Sequence, residues 1–544
     1  MIRRLQEMPL LWIAGILFLF ILVASGLLGN KGYWGDDWAV VSAPFWWGIP
    51  RAIEVGAENL RRPMAAIYWA IALKLARFDD QATFFMSFSI HALSSILMGL
   101  AVQIAFPKRL PLVYGVTLIS FFLPMLPPLS YFLILDNSRL AVLFYWVSVL
   151  LFQHWATRPQ AWSLPLLPII AFALSLLSYE SAFLMPLITL LMIYPIYQRC
   201  HPNASRRQTA WMIAELVIAH VVAVVIYFFI RDIYHISVHV SQEGNQPLTD
   251  FIRYLTIFPP YFSEPFRWFG IHPDPLAWVV GVVMVVWCAG MGWYFVQQYG
   301  HQTNPFKESA YLMVIATLAI VLGLLPFAVY RIKTDVSGVT VDGKVYTMSA
   351  FGFAVWISWL LNRINPRFMT VAVAIWAGMM SAYVLTLRHE WQDANILRDN
   401  LHRSLLEQVP DLPDDTVILY LDYPLFTENN ASVIEHQVAH YHTKLMYQNE
   451  LVSGAPLTTR STNGFDPIVS DDLLSVPGKT VPIENVVILR RMGDQFEVVD
   501  SIHQSEGYAL DWTGDRTSLS TNRERILQTP QTDNRFLRLM SLAE

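Results

Sequence analysis

Two adjacent carboxylates, Asp36 and Asp37, lie in the stretch Tyr33-Trp34-Gly35-Asp36-Asp37-Trp38, just past the first apolar run of the chain. A carboxylate held at a membrane boundary can act as a general base and deprotonate a hydroxyl brought to it. The same residues also suit a helix N-cap inside an aromatic belt, and the residues alone leave both readings open. Arg61-Arg62-Pro63 follows. A guanidinium matches phosphate oxygens in a bidentate way, so Arg62 suits a lipid-linked phosphate, although headgroup binding and snorkelling use the same chemistry. Asp136-Asn137-Ser138-Arg139 puts an acid and a base three residues apart, able to pair on one helical turn or to face a cavity. Ser178-Tyr179-Glu180-Ser181 places Glu180 between two apolar runs, where an unpaired charge is costly. A cavity role is expected for it, with a salt bridge to Arg139 as the alternative. A last group, Arg331 and Lys333 with Lys344, can hold a departing phosphate or anchor the chain at the interface.

These residues need elements to position them, and composition says which. The chain has 544 residues, of which 54% are hydrophobic and only 15% charged. A soluble globular chain carries about a quarter charged residues. A membrane protein is expected, and no basic block favours nucleic acid as a partner. Apolar runs long enough to span lie near 9–28, 83–106, 111–127, 139–155, 162–178, 182–198, 209–230, 276–297, 309–329, 346–362 and 368–387. A further run, 63–78, carries Lys74 and Arg77 on an amphipathic pattern that suits an interfacial helix. Leaving it outside places Lys108, Arg109, Arg158, Arg199, Arg206, Arg207, Lys307, Arg363 and Arg367 in inner loops, as the positive-inside rule requires. The expectation is therefore an α-helical polytopic membrane protein of about 11 transmembrane helices. Its N-terminus is expected in the cytoplasm, with an outer loop bearing interfacial helices over 29–82.

Beyond residue 387 the character changes. Strand-like stretches at 416–423, 485–492 and 495–500 and polar helical segments near 388–408 and 431–448 predict a small extracytoplasmic α/β domain over 388–544. The two cysteines, Cys200 and Cys288, fall at an inner helix end and inside a span, so no disulfide framework is expected. His436, His440 and His442 share a helical stretch, but the acid precedes the first histidine. A solvated face is the expectation, without a metal. Asn203-Ala204-Ser205 is a sequon on the inner side, and Asn430-Ala431-Ser432 lies outside.

Together these residues resemble the GT-C superfamily of membrane glycosyltransferases, and within it bacterial relatives of the transmembrane O-mannosyltransferases. The resemblance rests on Asp36-Asp37, the Arg62-Pro63 start of a loop helix, His91 in the next span, and the stretch Gly343 to Gly352. Lys344 and Val345 stand where that group carries Arg and Tyr. The resemblance covers roughly residues 9–387. It implies transfer of a sugar, with inversion, from a polyprenyl-phosphate donor to a glycan, lipid or protein acceptor at the outer face of a bacterial inner membrane. Asp36 or Asp37 would be the base. Arg62, Arg139, Arg331, Lys333 and Lys344 would hold the donor phosphate, and Asp136, Tyr179 and Glu180 would line the acceptor cavity. No cofactor or obligate metal is implied, and the partners are the lipid-linked sugar, its acceptor and membrane lipids. The rival class is a multi-pass transporter or lipid flippase, which explains spans and buried charges equally well.

Overall fold

The computed structural model describes residues 9–27, 37–60, 62–77, 79–107, 109–126, 133–157, 165–233, 247–271, 274–299, 306–329, 341–409, 412, 414–422, 436–447, 451–457, 468–470, 473–476, 479–482, 485–493, 495–499, 501–502 and 512–513. The chain forms two compact units. The first comprises Met1–Leu28, Ile49–Ala72 and Gln81–Arg388, and the second Gly29–Gly48, Leu73–Asp80 and His389–Glu544.

Each of the apolar runs overlaps a helix. In chain order the helices are α1 (Pro9–Leu27), α2 (Asp37–Leu60), α3 (Pro63–Leu75), α4 (Asp80–Ala105), α5 (Leu110–Phe121), α6 (Asp136–Ala156), α7 (Leu166–Ser178) and α8 (Pro186–Cys200). They continue with α9 (Arg206–Ile233), α10 (Pro247–Ile257), α11 (Glu264–Ile271), α12 (Pro275–Tyr299), α13 (Phe306–Val329), α14 (Ala350–Ile364), α15 (Pro366–Gln408) and α16 (His436–Tyr447). Among the described residues, six of these (α4, α6, α9, α12, α13 and α15) are long and apolar enough to cross a membrane. Shorter apolar helices accompany them, including Pro63–Leu75, the run expected at the interface. The protein is thus a helical membrane protein. Valines and phenylalanines such as Val221, Val225 and Phe229 on α9 and Val279, Val283 and Val286 on α12 stay exposed, as residues facing lipid do.

Helix starts follow local chemistry. Pro275 and Pro186 open their helices, where the missing N–H costs nothing. Asn365 Oδ1 accepts the Arg367 N–H at 2.8 Å and caps α15. That helix then runs 43 residues, so the apolar run at 368–387 and the polar segment at 388–408 are one element. No proline follows Pro366 to end it earlier.

Side-chain hydroxyls set the registers. Ser175 Oγ donates to the Ala141 carbonyl at 2.7 Å, and Ser148 Oγ donates to that of Pro168 at 2.9 Å, making α6 and α7 an antiparallel hairpin. Ser87 on α4 bonds Asp136 at the start of α6, and Gln153 Nε2 reaches the Ala101 carbonyl at 3.1 Å near both C-termini, so α4 and α6 run parallel. The start of α4, the start of α6 and the end of α7 therefore share one end of the bundle. Between α12 and α15 the backbones nearly touch at Gly281 and Gly378. A Cβ on Gly378 would lie 2.4 Å from the Gly281 carbonyl oxygen, so only glycine fits.

In the second unit the sheet order is β2-β1-β6-β7, with β1 (Val417–Leu421), β2 (Ser453–Leu457), β6 (Val486–Met492) and β7 (Gln495–Val498). β1 pairs parallel with β2 and β6, and β6 pairs antiparallel with β7. Strands β1, β6 and β7 fall on the expected stretches. β2 was not expected, because Gly454 and Pro456 weaken its strand signal, and proline is tolerated at its edge position. Helix α16 crosses between β1 and β2, where Tyr420 Oη and Thr443 Oγ1 meet at 2.8 Å. Strands β3 (Ile468–Ser470), β4 (Leu473–Val476) and β5 (Lys479–Pro482) form a separate antiparallel sheet.

His440 on α16 contacts Ser453 Oγ through Nδ1 at 2.7 Å. Burial, then Lys444 and Lys479, hold its imidazole down at about 4. An unfolded histidine titrates near 6.5. The unfolded state thus binds more protons between those values, and stability falls as pH drops through about 6.5 towards 4.

Two outcomes are expected. Gly378→Val forces α12 and α15 apart and costs about 1–3 kcal/mol. Gly15→Val, where no atom lies within 4 Å of the new Cβ, leaves the melting temperature in detergent near wild type. Hydrogen exchange of β1 and β2 in the full chain, corrected for intrinsic rates, accelerates between pH 7 and pH 5. That acceleration shrinks in His440→Gln, whereas an equal pH response in both proteins removes His440 as its cause.

Candidate functional site

Asp136 and Arg139 open α6 one turn apart, so the i,i+3 spacing puts carboxylate and guanidinium on one face. Arg139 Nη2 lies 2.6 Å from Asp136 Oδ1, with both side chains buried. Ser87 Oγ donates to the same carboxylate oxygen, and the Tyr68 hydroxyl from α3 lies beside it. One turn deeper on α4, His91 Nε2 donates to the Phe121 carbonyl at 2.9 Å, which fixes its tautomer, and its ring stacks on Phe121. His91, Ser94, Ser120, Arg139 and Thr347 line a narrow cavity with room for about one water molecule.

The second cluster forms where α7 gives way to a 3₁₀ turn at Glu180–Ala182. The Arg62 guanidinium sits 4.4 Å from the centroid of the Tyr179 ring, a cation–π contact. Burial raises the Tyr179 hydroxyl above its usual pKa, against the opposing pull of Arg62. Glu180 Oε1 lies 3.8 Å from Arg231 Nη1 and accepts from Tyr227 Oη at 3.3 Å. Arg231 Nη1 in turn donates to Tyr227 Oη. Tyr227 and Arg231 are one turn apart near the end of α9.

The structure therefore brings Asp136 and Arg139 together as a pair. Arg62, Tyr179 and Glu180 gather at the same end of the bundle. Glu180 pairs with Arg231 rather than with Arg139, whose charge Asp136 already meets. Lys344 is half-buried in a 3₁₀ turn (Val341–Tyr346), and its carbonyl accepts from Thr347 Oγ1 at 2.8 Å. Asp36, Arg331 and Lys333 lie outside the described residues, and of Asp37 only the backbone, at the start of α2, is described. Sequence reasoning passed over Ser87, Tyr68, Tyr227 and Arg231. Arg231 closes an apolar run with Tyr227 four residues earlier, a spacing that marks a shared helical face. A serine such as Ser87 carries no such signal.

Among the described residues, Asp136 faces Arg139 and Glu180 faces Arg231. Among the described residues no carboxylate lies within ion-pairing distance of Arg62, which is met by the Tyr179 ring alone. Among the described residues the cation without a carboxylate beside it is Arg62, and it is half-buried. That is an environment for an anion with bidentate oxygens.

Breaking the buried pair from one side is expected to be worse than removing it. Asp136→Ala takes from buried Arg139 the carboxylate that faces it, costing about 3–5 kcal/mol, and Asp136→Leu with Arg139→Met costs well below the sum of the single changes. A double-mutant cycle on thermal unfolding in detergent measures this, and strict additivity would show that the two charges do not support each other. No protein-family model, no curated protein and no solved structure matches this chain.

Proposed function

We propose that this protein is a membrane glycosyltransferase that moves a sugar from a polyprenyl-phosphate donor to a hydroxyl-bearing glycan, lipid or protein at the outer face of a bacterial inner membrane. The observation that carries the reading is Arg62 on the Tyr179 ring, at one end of a helical membrane bundle, with no carboxylate in ion-pairing distance among the described residues, beside bases that each face an acid. A phosphate on a lipid tail can reach that height without leaving the bilayer. The aromatic ring leaves guanidinium N–H groups available to phosphate oxygens.

In this mechanism a carboxylate of the Asp36–Asp37 pair takes the proton of the acceptor hydroxyl. The acceptor oxygen attacks the anomeric carbon, the bond to the phosphate oxygen breaks on the opposite face, and configuration inverts. Polyprenyl phosphate leaves with the electron pair, and Arg62, with Arg331, Lys333 and Lys344, stabilises that charge. The pairing of Arg139 with Asp136 gives it a positioning role at the His91 cavity. A second reading, a transporter or lipid flippase, is favoured by one observation: the Asp136–Arg139 pair is buried within a candidate span, as in ion pathways.

The test uses the full chain in lipid nanodiscs with a panel of radiolabelled polyprenyl-phosphate sugars. Wild type consumes one donor. Asp36→Asn or Asp37→Asn lowers kcat by about 10²-fold or more. Arg62→Gln lowers kcat/KM by about 10²-fold. Turnover unchanged in all three variants overturns the assignment of roles. No donor consumption by wild type, with donor or lipid movement across the bilayer instead, selects the transport reading.

A further inference from the structure

Helix α10 (Pro247–Ile257) presents three separate faces. At about 100° per residue, Tyr254, Phe251 and the following Phe258 fall on one side. Tyr254 is buried, its hydroxyl donates to the Phe327 carbonyl at 3.1 Å, and its own carbonyl accepts from Tyr346 Oη at 2.7 Å. Phe258 stacks on Phe353 with ring centroids 3.7 Å apart. Phe327 is two residues from the end of α13, and Phe353 is in the first turn of α14. These contacts hold α10 at the level where α13 ends and α14 begins.

The next face carries Leu248, Ile252 and Leu255, spaced i, i+4, i+7, with 72%, 51% and 39% of their surface exposed. Beside it lies a polar face, Thr249, Arg253 and Thr256, at the same spacing and also exposed. A helix standing clear in water would not keep three large apolar residues in line on one face. A helix buried in a protein interface would not need an adjoining polar face. The flanking surface is apolar too: Phe266, Leu276 and Trp278 are exposed after α10, and Phe229 and Ile233 before it. The elements that precede and follow α10 in the chain thus also carry large exposed apolar residues, as α10 does.

We infer that α10 lies flat in the bilayer interface, with Leu248, Ile252 and Leu255 among the acyl chains and Arg253 among the headgroup phosphates. The partner is the membrane lipid itself. The inference holds whether the protein transfers sugars or transports lipids.

Spin labelling of the full chain in lipid nanodiscs tests it. Cys200→Ser removes the exposed native thiol, while Cys288 is buried. Single labels then go on Leu248→Cys, Ile252→Cys and Leu255→Cys, and on Thr249→Cys, Arg253→Cys and Thr256→Cys. All six positions are exposed, and three per face keep the contrast readable if one variant is lost. The first set is expected to collide mainly with dissolved oxygen and the second mainly with a water-soluble nickel chelate. Nickel dominating at positions 248, 252 and 255 would place the row in water and overturn the inference. Low collision with both reagents at those positions would mean that protein covers the row, a second copy or another chain, and would overturn it equally.

Discussion

A helix that ends among other helices leaves up to four carbonyls without partners, and in a low-dielectric interior there is little water to supply them. Much of this bundle is arranged around that constraint. Trp69 Nε1 donates to the Leu133 carbonyl, Trp376 Nε1 to Phe122, Tyr254 Oη to Phe327 and Tyr346 Oη to Tyr254. At the opposite end Arg199 Nη2 donates to the carbonyls of Ile104 and Ala105, and His201 Nε2 to that of Ala156. Each of these side chains brings an apolar body with a polar tip, so one residue fills space and closes a helix end together. Because the acceptors sit on other helices, the same bonds determine which helices touch and at what height.

The charged cluster inherits its geometry from this scaffold. Asp136 begins α6 directly after the 3₁₀ turn (Leu133–Leu135) that Trp69 holds, and Ser87 meets it from the parallel helix α4. Glu180 sits in a turn that the α6–α7 hairpin delivers to the same end. Among the described residues two acids each face a base, and Arg62 lies on an aromatic face.

The second unit follows different rules. Its β1 is buried along its whole length, as a central parallel strand is, and the edge strand β2 carries the glycine and proline. Gly454 lets α16 approach closely, since a Cβ there would meet Thr443, Tyr420 and the Ala439 carbonyl. His440 is consequently held neutral between burial and two lysines, which ties this unit's stability to pH.

Apolar runs sufficed to locate helices, six of which among the described residues are long and apolar enough to cross a membrane, because burying that much apolar surface as helix has few alternatives. The strands β1, β6 and β7 were equally legible from their β-branched and aliphatic runs. The edge strand β2 was not, since its pairing with β1 outweighs its own poor propensity. The i,i+3 spacing of Asp136 and Arg139 already contained their pairing, a contact within one helical turn. Which base answers Glu180 did not lie in the sequence: Arg231 is 51 residues away, and only the packing of α9 beside the Glu180 turn selects it over Arg139. The contact of Arg62 with the Tyr179 ring likewise joins residues far apart in the chain, and local sequence carries no information about it. The sequence by itself determined the solvent, the helices and the short-range pair, whereas the tertiary structure alone decided which distant charges face one another, because those contacts depend on packing between helices far apart in the chain.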